Sequence, residues 1–229
     1  MPFLIALAVA ALLALVFGPQ WWVRSAMRRH AAEREDFPGT GGELARHLLD
    51  LGGLQHVKVE LAPQGDHYDP VDKAVRLTPP NYDGRSVTAV AVAAHEVSHA
   101  LQDADGNRLL HLRLKLARTA QTIEVVAAIV LATAPVLMAL VRSPALLILQ
   151  VAIVAVLMAS RLVVHLLTLP VEFDASFRRA LPILKTGGYL ADGDLPAART
   201  VLRAAALTYV AAALVTLLDV TRLLRVLRF

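Results

Sequence analysis

Four long apolar runs constrain this chain most strongly, because side chains of that kind must be buried in a core or surrounded by lipid. The runs occupy residues 3–23, 125–141, 145–169 and 204–218. Of the 229 residues, 56% are hydrophobic and only 18% are charged, and the apolar residues gather in runs instead of alternating with polar ones. A helix of about 20 apolar residues is long enough to cross a bilayer. The runs therefore predict an α-helical multi-pass membrane protein with three or four transmembrane helices.

The ends of the first run favour a transmembrane helix over a cleaved signal peptide. Trp21, Trp22 and Arg24 are typical anchors at a membrane interface. No basic segment precedes the run, and no clear cleavage site of small residues follows it.

The second and third runs are joined by residues 142–144 alone, which predicts an antiparallel helical hairpin. The fourth run is short and is followed by Asp219, so a tilted, an interfacial and a packed helix all remain open.

The distribution of positive charge predicts an orientation. Of the 23 Lys and Arg residues, 13 fall in residues 24–118 and 5 in residues 171–203. Because cytoplasmic loops of membrane proteins are enriched in Lys and Arg, both polar segments should be cytoplasmic. Arg222, Arg225 and Arg228 would then lie on the far side, an inconsistency that favours incomplete crossing of the last segment.

The overall charge and the residue types exclude several classes of protein. The net charge of +4 fits a surface that faces anionic lipid. No segment resembles a nucleic-acid-binding module, so no nucleic acid is expected as a partner. The absence of Cys excludes disulfides and metal sites built on thiolates.

The sequence His-Glu-Val-Ser-His at residues 95–99 contains candidate metal ligands and a candidate general base. It lies within residues 86–104, where apolar residues recur at helical spacing and Ser86 can cap the start of the helix. Histidines at i and i+4 share one side of a helix, so His95 and His99 can bind one zinc ion. Glu96 can then act as general base on water activated by that ion, as in a metallopeptidase. The alternative is a pair of histidines on an ordinary polar helix face.

A catalytic zinc needs a third protein ligand, and Glu172 is the best candidate. It follows the third apolar run, where Pro170 can start or kink a helix. Two runs separate His99 from Glu172, so a chain that crosses and returns would place both on the same side of a bilayer. Asp174 is the competing ligand, or a group that holds the N–H of a histidine ligand. The alternative for Glu172 is a surface carboxylate near a helix end.

Between the first run and the motif lie smaller elements. A helix is predicted over residues 43–51, and strands over residues 56–61 and 73–78, where polar and apolar residues alternate in the first of them. We expect the two strands to form an antiparallel ribbon around residues 63–72, packed near the motif helix. Such a ribbon could pair with an extended substrate.

Four sequence blocks resemble a known family. Residues 66–70, 93–102, 169–176 and 204–212 are similar to the YugP-type bacterial membrane zinc metallopeptidases, and the resemblance runs nearly end to end. The family implies a multi-pass protein of the bacterial inner membrane with its active site facing the cytoplasm. It also implies one Zn²⁺, and the family's glutamate after the transmembrane hairpin matches Glu172. The layout is also similar to the HtpX class of gluzincins, which implies a small α+β metallopeptidase region. Two departures are Ser98, where relatives usually have Gly, and Asp174, where many have Asn.

Further candidates come from the same blocks. His67, Tyr68 and Asp69 belong to the first block, and a Tyr or His beside zinc can stabilise an oxyanion. An ordinary turn between two strands is an equally good interpretation of that block. Asp174 and Ser176 are candidates for holding a histidine ligand or for stabilising the oxyanion.

These inferences together predict a membrane-bound zinc endopeptidase. We expect a transmembrane helix in residues 1–23, a cytoplasmic α+β region in 24–118, a transmembrane hairpin in 119–169, a cytoplasmic helical segment in 170–203, and a last transmembrane helix with the tail in 204–229. The expected partners are a polypeptide substrate and the lipid bilayer, with a homo-oligomer or a regulatory membrane partner as further possibilities. Substrates would be segments of membrane proteins or segments close to the membrane on the cytoplasmic side, in quality control by analogy with gluzincins. The alternative is a non-catalytic metal-binding scaffold or a protease-like protein controlled by a partner.

Overall fold

A computed structural model describes residues 2–141 and 143–217 of the chain. These residues are mainly helical, with one small sheet near the middle of the sequence. The α-helices are α1 (Pro2–Arg29), α2 (Gly41–Leu51), α3 (Pro79–Tyr82), α4 (Val87–Ala104), α5 (Arg108–Val141), α6 (Pro144–Phe173), α7 (Leu181–Thr186) and α8 (Leu195–Leu217). A π-helical segment, Asp174–Ala180, connects α6 to α7. The strands are β1 (Lys58–Leu61), β2 (His67–Asp69) and β3 (Ala74–Leu77).

Helix α4 is the centre of the molecule. Nearly all of its residues are buried, and it packs against α2, α7, α8, the π-helical segment and two strands. The side chain of Ser86 accepts a hydrogen bond from the backbone N–H of Ala89 at 3.1 Å, which satisfies one of the unpaired donors at the helix start. The helix predicted over residues 86–104 is therefore confirmed. Alanines at 89, 91, 93 and 94 are fully buried, and their small side chains let the neighbouring elements come close to α4.

The sheet differs from the predicted antiparallel ribbon. Strand β1 pairs with β3 in parallel, with Val59 opposite Val75, and β2 pairs with β3 antiparallel. The order across the sheet is β1-β3-β2. The prediction was wrong because the connection between the two predicted strands contains a third strand, β2. That strand reverses the chain before β3, so β3 runs in the same direction as β1.

The prediction of a multi-pass membrane protein is also wrong. Among the described residues, no helix combines the length and the apolar character that crossing a bilayer requires. The apolar runs predicted membrane crossing incorrectly, because in several helices the run covers only part of the helix. Helix α5 begins with a segment rich in Arg and Lys, α8 carries Arg199 and Arg203 before its apolar part, and Gln150, Arg161 and His165 interrupt α6. Residues 218–229, with Arg222, Arg225 and Arg228, lie outside the described part.

The four long helices hold the elements of the centre in place. Helix α8 packs against α1, α6 and α4, and α5 packs against α6. Helix α6 ends beside α4, and the π-helical segment that follows it also packs on α4. The start of α5, the end of α6 and the middle of α8 therefore lie near the second half of α4.

Candidate metal centre

Three side chains converge on one point between α4 and the end of α6. The Nε2 atoms of His95 and His99 lie 3.2 and 3.4 Å from the Oε2 atom of Glu172. All three side chains are buried, and their donor atoms lie within 4.8 Å of one another. The two imidazole rings meet edge to face, with centroids 4.7 Å apart. One oxygen and two nitrogens thus surround a space suited to a single ion.

The local fold explains this convergence. His95 and His99 are one turn apart on α4, so their side chains leave the helix on the same side. Glu172 is the last residue but one of α6, where the chain passes into the π-helical segment. π-Helical turns are rare and are frequent at functional sites. Here the segment carries Asp174 and Ser176 towards α4 as well.

The proton position on His99 is fixed by Gln102. The amide nitrogen of Gln102 donates to the backbone oxygen of Val171 at 3.0 Å and to Asp174 Oδ2 at 2.8 Å. The amide oxygen of Gln102 therefore faces His99 Nδ1, at 2.9 Å, and can only accept. His99 must carry a proton on Nδ1, which leaves Nε2 as the nitrogen that can bind a metal.

The proton position on His95 is fixed in the same way by Ser176. The Ser176 hydroxyl donates its one hydrogen to the backbone oxygen of Leu202 at 3.0 Å. Its oxygen lies 3.0 Å from His95 Nδ1, so that nitrogen must be the donor in this pair. Nε2 of His95 again points to the shared space. Both histidines are therefore held with Nε2, the nitrogen that would bind a metal ion, facing the shared space.

Removing the Ser176 hydroxyl tests this arrangement. We expect Ser176→Ala to weaken zinc binding by about 10–100-fold, because His95 loses the group that fixes its ring orientation and tautomer. The matched control is Ser98→Ala, since the buried hydroxyl of Ser98 binds the α4 backbone at Ala94 and touches no histidine. Zinc dissociation constants from competition with a coloured chelator measure both. Equal zinc affinities for the two variants would show that the hydroxyl of Ser176 does not support the site.

Glu96 lies beside the three ligands and faces the same cavity. The cavity has a volume of about 490 Å³ and is lined by the two histidines, Glu96, Glu172 and, from α8, Tyr209. Burial raises the pKa of Glu96 to about 7; the electrostatic interaction with His95 opposes that rise, and the charge of Glu172 adds to it. A carboxyl group with a pKa near neutrality is well suited to accept and return a proton.

The pKa of Glu172 is shifted in the opposite direction. Burial works to raise the pKa of Glu172, but His99, His95 and Arg113 outweigh it and hold the pKa well below its usual range. Glu172 is thus ionised while Glu96 can take up a proton. The two buried carboxyl groups, in one cavity, are suited to two different tasks.

The other predicted residues lie around these groups. Asp174 faces Gln102 and Arg179 and does not reach the shared space, so it supports His99 through Gln102. Its hydrogen bonds hold the pKa of Asp174 below the usual range although burial opposes them. Ser176 holds His95, as described above.

The block at residues 66–70 forms the rim of the cavity. His67 and Tyr68 line it, but the hydroxyl of Tyr68 donates to Asp103 at 2.7 Å, and Asp69 binds Arg76 at 2.6 Å. Nδ1 of His67 lies 3.1 Å from the backbone oxygen of Gly65. The structure therefore places this block in the turn and strand beside the site, where it builds the wall of the cavity.

Asp103 of α4 connects the rim of the cavity to that helix through hydrogen bonds. Its buried carboxylate accepts hydrogen bonds from Tyr68 and, at 2.5 Å, from Lys73. Burial works to raise the pKa of Asp103, but these partners lower it below the model-compound value of 3.8. The folded protein thus binds the proton less tightly than the unfolded chain does. The carboxylate therefore stabilises the fold above pH 3.8 and loses this contribution as the pH falls through the folded pKa.

The stability of Asp103→Asn should therefore depend on pH. We expect the substitution to lower the free energy of unfolding by about 1–2 kcal/mol at about pH 7 and by less at about pH 3. Urea unfolding at the two pH values measures the difference. Asp192→Asn, in the exposed loop before α8, is the control and should change stability little at either pH. A loss that is as large in acid as at neutral pH would contradict the role of the ionised carboxylate.

Two residues of the cavity were not predicted. Arg113 of α5 donates to Glu172 Oε1 at 2.5 Å, and it also donates to the hydroxyl of Tyr209 on α8. Nothing in the sequence distinguishes Arg113 from the other basic residues at the start of α5. Tyr209 stands in a block that resembles the family, but the resemblance assigned it no role. Gln102 lies at i+3 from His99, a spacing that would have allowed its contact to be proposed.

The residues present fit zinc. Two imidazole nitrogens and one carboxylate oxygen form the donor set of catalytic zinc sites, which leave a further position open. Each histidine has a partner for its other nitrogen, as the ligands of such sites almost always do. His95, His99 and Glu172 would hold the ion.

Comparisons with known proteins agree with this geometry. Residues 4–228 match the family described as "Putative neutral zinc metallopeptidase". Among curated proteins, the chain is similar to the "Putative membrane protease YugP" of Bacillus subtilis (strain 168), with 38% identity over 218 residues that cover 94% of this chain and 92% of that protein. No solved structure matches the chain. The resemblance seen in the four sequence blocks is thus confirmed, and the chain belongs to the neutral zinc metallopeptidase family.

Proposed function

We propose that this chain is a zinc-dependent endopeptidase that cleaves polypeptide segments close to a membrane. The observation that carries the proposal is the convergence of His95, His99 and Glu172 in one cavity with the carboxyl group of Glu96. A metal site that served only structure would be closed by a fourth protein ligand. Among the described residues, the cluster of possible ligands contains three members and borders a cavity of about 490 Å³.

In the proposed hydrolysis, different side chains would bind the metal, transfer the proton and orient the ligands. His95, His99 and Glu172 would hold a zinc ion, which would supply the Lewis acidity that activates water and polarises a carbonyl group. Glu96 accepts the proton that the attacking water releases and delivers it to the leaving amine, for which a pKa of about 7 is suitable. Gln102 and Ser176 hold the two histidines in orientation throughout.

An extended polypeptide fits the rim of the cavity. Strand β2 lies at the edge of the sheet, and residues on both sides of Tyr68 line the cavity. An extended chain can add to a free sheet edge through backbone hydrogen bonds, which recognise any sequence. Asp103 fixes this edge to α4, so a bound segment would lie at a constant distance from Glu96.

Exposed apolar side chains support a position at a membrane surface. Helices α1, α5 and α6 expose large apolar residues, among them Trp21 at 72% and Ile148 at 69% of their full surface. Large apolar side chains exposed in this number are typical of helices that contact protein or lipid. The similar protein from Bacillus subtilis is named a membrane protease. We therefore propose the surface of a bilayer as the partner of these helices, and membrane-protein ends or unfolded segments nearby as substrates.

Metal removal and return test the peptidase activity. The purified full-length chain should contain one zinc ion, cleave an unfolded labelled protein such as casein, lose this activity on chelation and regain it with zinc. Mass spectrometry of the products should show cleavage at internal peptide bonds. Cleavage that survives complete zinc removal would contradict the mechanism. One bound zinc per chain without cleavage of any polypeptide would favour the alternative of a non-catalytic metal-binding scaffold.

Sedimentation with lipid vesicles tests the proposed partner. We expect the chain to sediment with vesicles and a double variant, Trp21→Ser with Ile148→Ser, to sediment less. Leu51→Ser is the matched control, because Leu51 is 69% exposed but lies on α2. A wild-type chain that stays in the supernatant with both neutral and anionic vesicles would overturn the membrane proposal and leave the peptidase proposal intact.

A further inference from the structure

The two carboxylate oxygens of Glu172 have different partners: one binds Arg113 and the other faces the histidines. Its guanidinium group donates to Oε1 of Glu172 at 2.5 Å, whereas Oε2 is the oxygen that faces both histidines. The Arg113 side chain is only 15% exposed and that of Glu172 is 1% exposed, so water screens the pair weakly. A charge-assisted hydrogen bond in such surroundings is short and strongly directional.

Tyr209 fixes the position of Arg113 from the other side. The guanidinium carbon lies 4.5 Å from the centre of the Tyr209 ring, and another guanidinium nitrogen donates to the Tyr209 hydroxyl. Because a guanidinium group has donors only, the hydroxyl oxygen must be the acceptor in this pair. Burial raises the pKa of Tyr209 to about 12, so the hydroxyl keeps its proton at neutral pH. Arg113 thus joins α5, α6 and α8 at one point.

This arrangement bears on how a carboxylate binds a metal ion. A carboxylate can bind through one oxygen or through both. With Oε1 held by Arg113, only Oε2 is available towards the histidines. Two nitrogens and a single oxygen leave one position of a four-coordinate ion open to water, whereas a carboxylate bound through both oxygens would add a fifth donor beside that water.

We propose that Arg113 is a positioning residue that restricts Glu172 to a one-oxygen metal ligand and so keeps the ion four-coordinate, with one position for water. The inference rests on the proposed metal centre. It assigns Arg113 a role that the peptidase proposal does not require, because His95, His99 and Glu172 would bind an ion in either mode. Lysine cannot replace it fully, since an ammonium group lacks the planar fork that spans Glu172 and Tyr209.

Cobalt substitution tests this role without reference to activity. Co²⁺ in place of zinc gives strong visible absorption when it is four-coordinate and much weaker absorption when it is five-coordinate. We expect the wild-type spectrum to be of the four-coordinate type. Arg113→Met should show a several-fold loss of that absorption, because Oε1 is released to the metal. Zinc X-ray absorption should report the same increase in coordination number.

Two further variants keep the test decisive. Arg34→Met is the matched control, because Arg34 also pairs with carboxylates, Asp36 and Asp194, away from the cavity, and its spectrum should equal that of the wild type. Tyr209→Phe removes one anchor of Arg113 without touching a metal ligand, and it should shift the spectrum part of the way. If Arg113→Met fails to fold, as circular dichroism would show, Tyr209→Phe decides the question.

The outcomes separate this inference from the proposed function. An unchanged four-coordinate spectrum in Arg113→Met, or in Tyr209→Phe where the first variant does not fold, overturns the role of Arg113. A wild-type chain that binds no cobalt or zinc overturns the metal centre and with it both proposals. A wild-type chain that binds one ion but cleaves nothing overturns the peptidase proposal alone, and the spectra still decide the role of Arg113.

Discussion

Replacing Glu96 by Gln is expected to lower the kcat of peptide hydrolysis by about 10²–10⁴-fold while zinc stays bound. The amide has nearly the same shape as the carboxyl group but cannot accept the proton that the attacking water must lose. Glu96 contributes no donor to the cluster that would hold the ion, so the zinc content of the variant should equal that of the wild type. Initial rates at saturating peptide, with zinc measured on the same samples, provide the test.

A second Glu→Gln variant controls for the loss of a negative charge. Glu60 lies on β1 and pairs with Arg76, away from the cavity, so Glu60→Gln should keep both zinc and kcat close to wild-type values. If Glu96→Gln kept wild-type kcat with full zinc occupancy, another group would have to be the base. If it lost zinc, Glu96 would be needed to bind the ion, and the loss of rate would say nothing of proton transfer.

Glu172→Gln is expected to have the largest effect on the metal itself. The substitution replaces the one anionic ligand by a neutral amide, and zinc affinity should fall by more than the roughly 10–100-fold that the loss of a supporting group costs. It also leaves Arg113, which is only 15% exposed, without its carboxylate. Zinc dissociation constants from chelator competition measure the effect.

Asp174→Asn is the matched comparison, because Asp174 was the competing ligand in the sequence. Its carboxylate binds Gln102 and Arg179, and an amide oxygen can still accept from Gln102. We expect zinc affinity close to that of the wild type. A greater loss of zinc in Asp174→Asn than in Glu172→Gln would reverse the assignment of the third ligand.

The sequence was informative wherever the relevant geometry is local. The spacing of His95 and His99 determines that both leave α4 on one side, and this follows from helical periodicity alone. Glu172 was chosen because two long helices carry the chain away and back, and the structure brings it to within 3.4 Å of both histidines. The reason given for that choice, crossing and returning through a bilayer, is not supported by the described helices.

Contacts between distant segments could not be predicted. Arg113 meets Tyr209 across 96 positions of sequence, and the crossing of α5 and α8 that allows this depends on packing of the whole molecule. Strand β2 is only three residues long, too short for an alternating pattern to reveal it, so the direction of β1 relative to β3 was predicted incorrectly. Tyr68 was considered for chemistry because of its residue type, yet its hydroxyl is used to attach the rim to Asp103.

The hydrogen bonds to Nδ1 of His95 and His99 have a consequence for the order of assembly. Ser176 and Gln102 hold both rings through hydrogen bonds that the protein itself supplies, so we expect zinc loading to require little reorganisation of the protein. We therefore expect folding to precede metal uptake, unlike in small zinc domains, where one depends on the other.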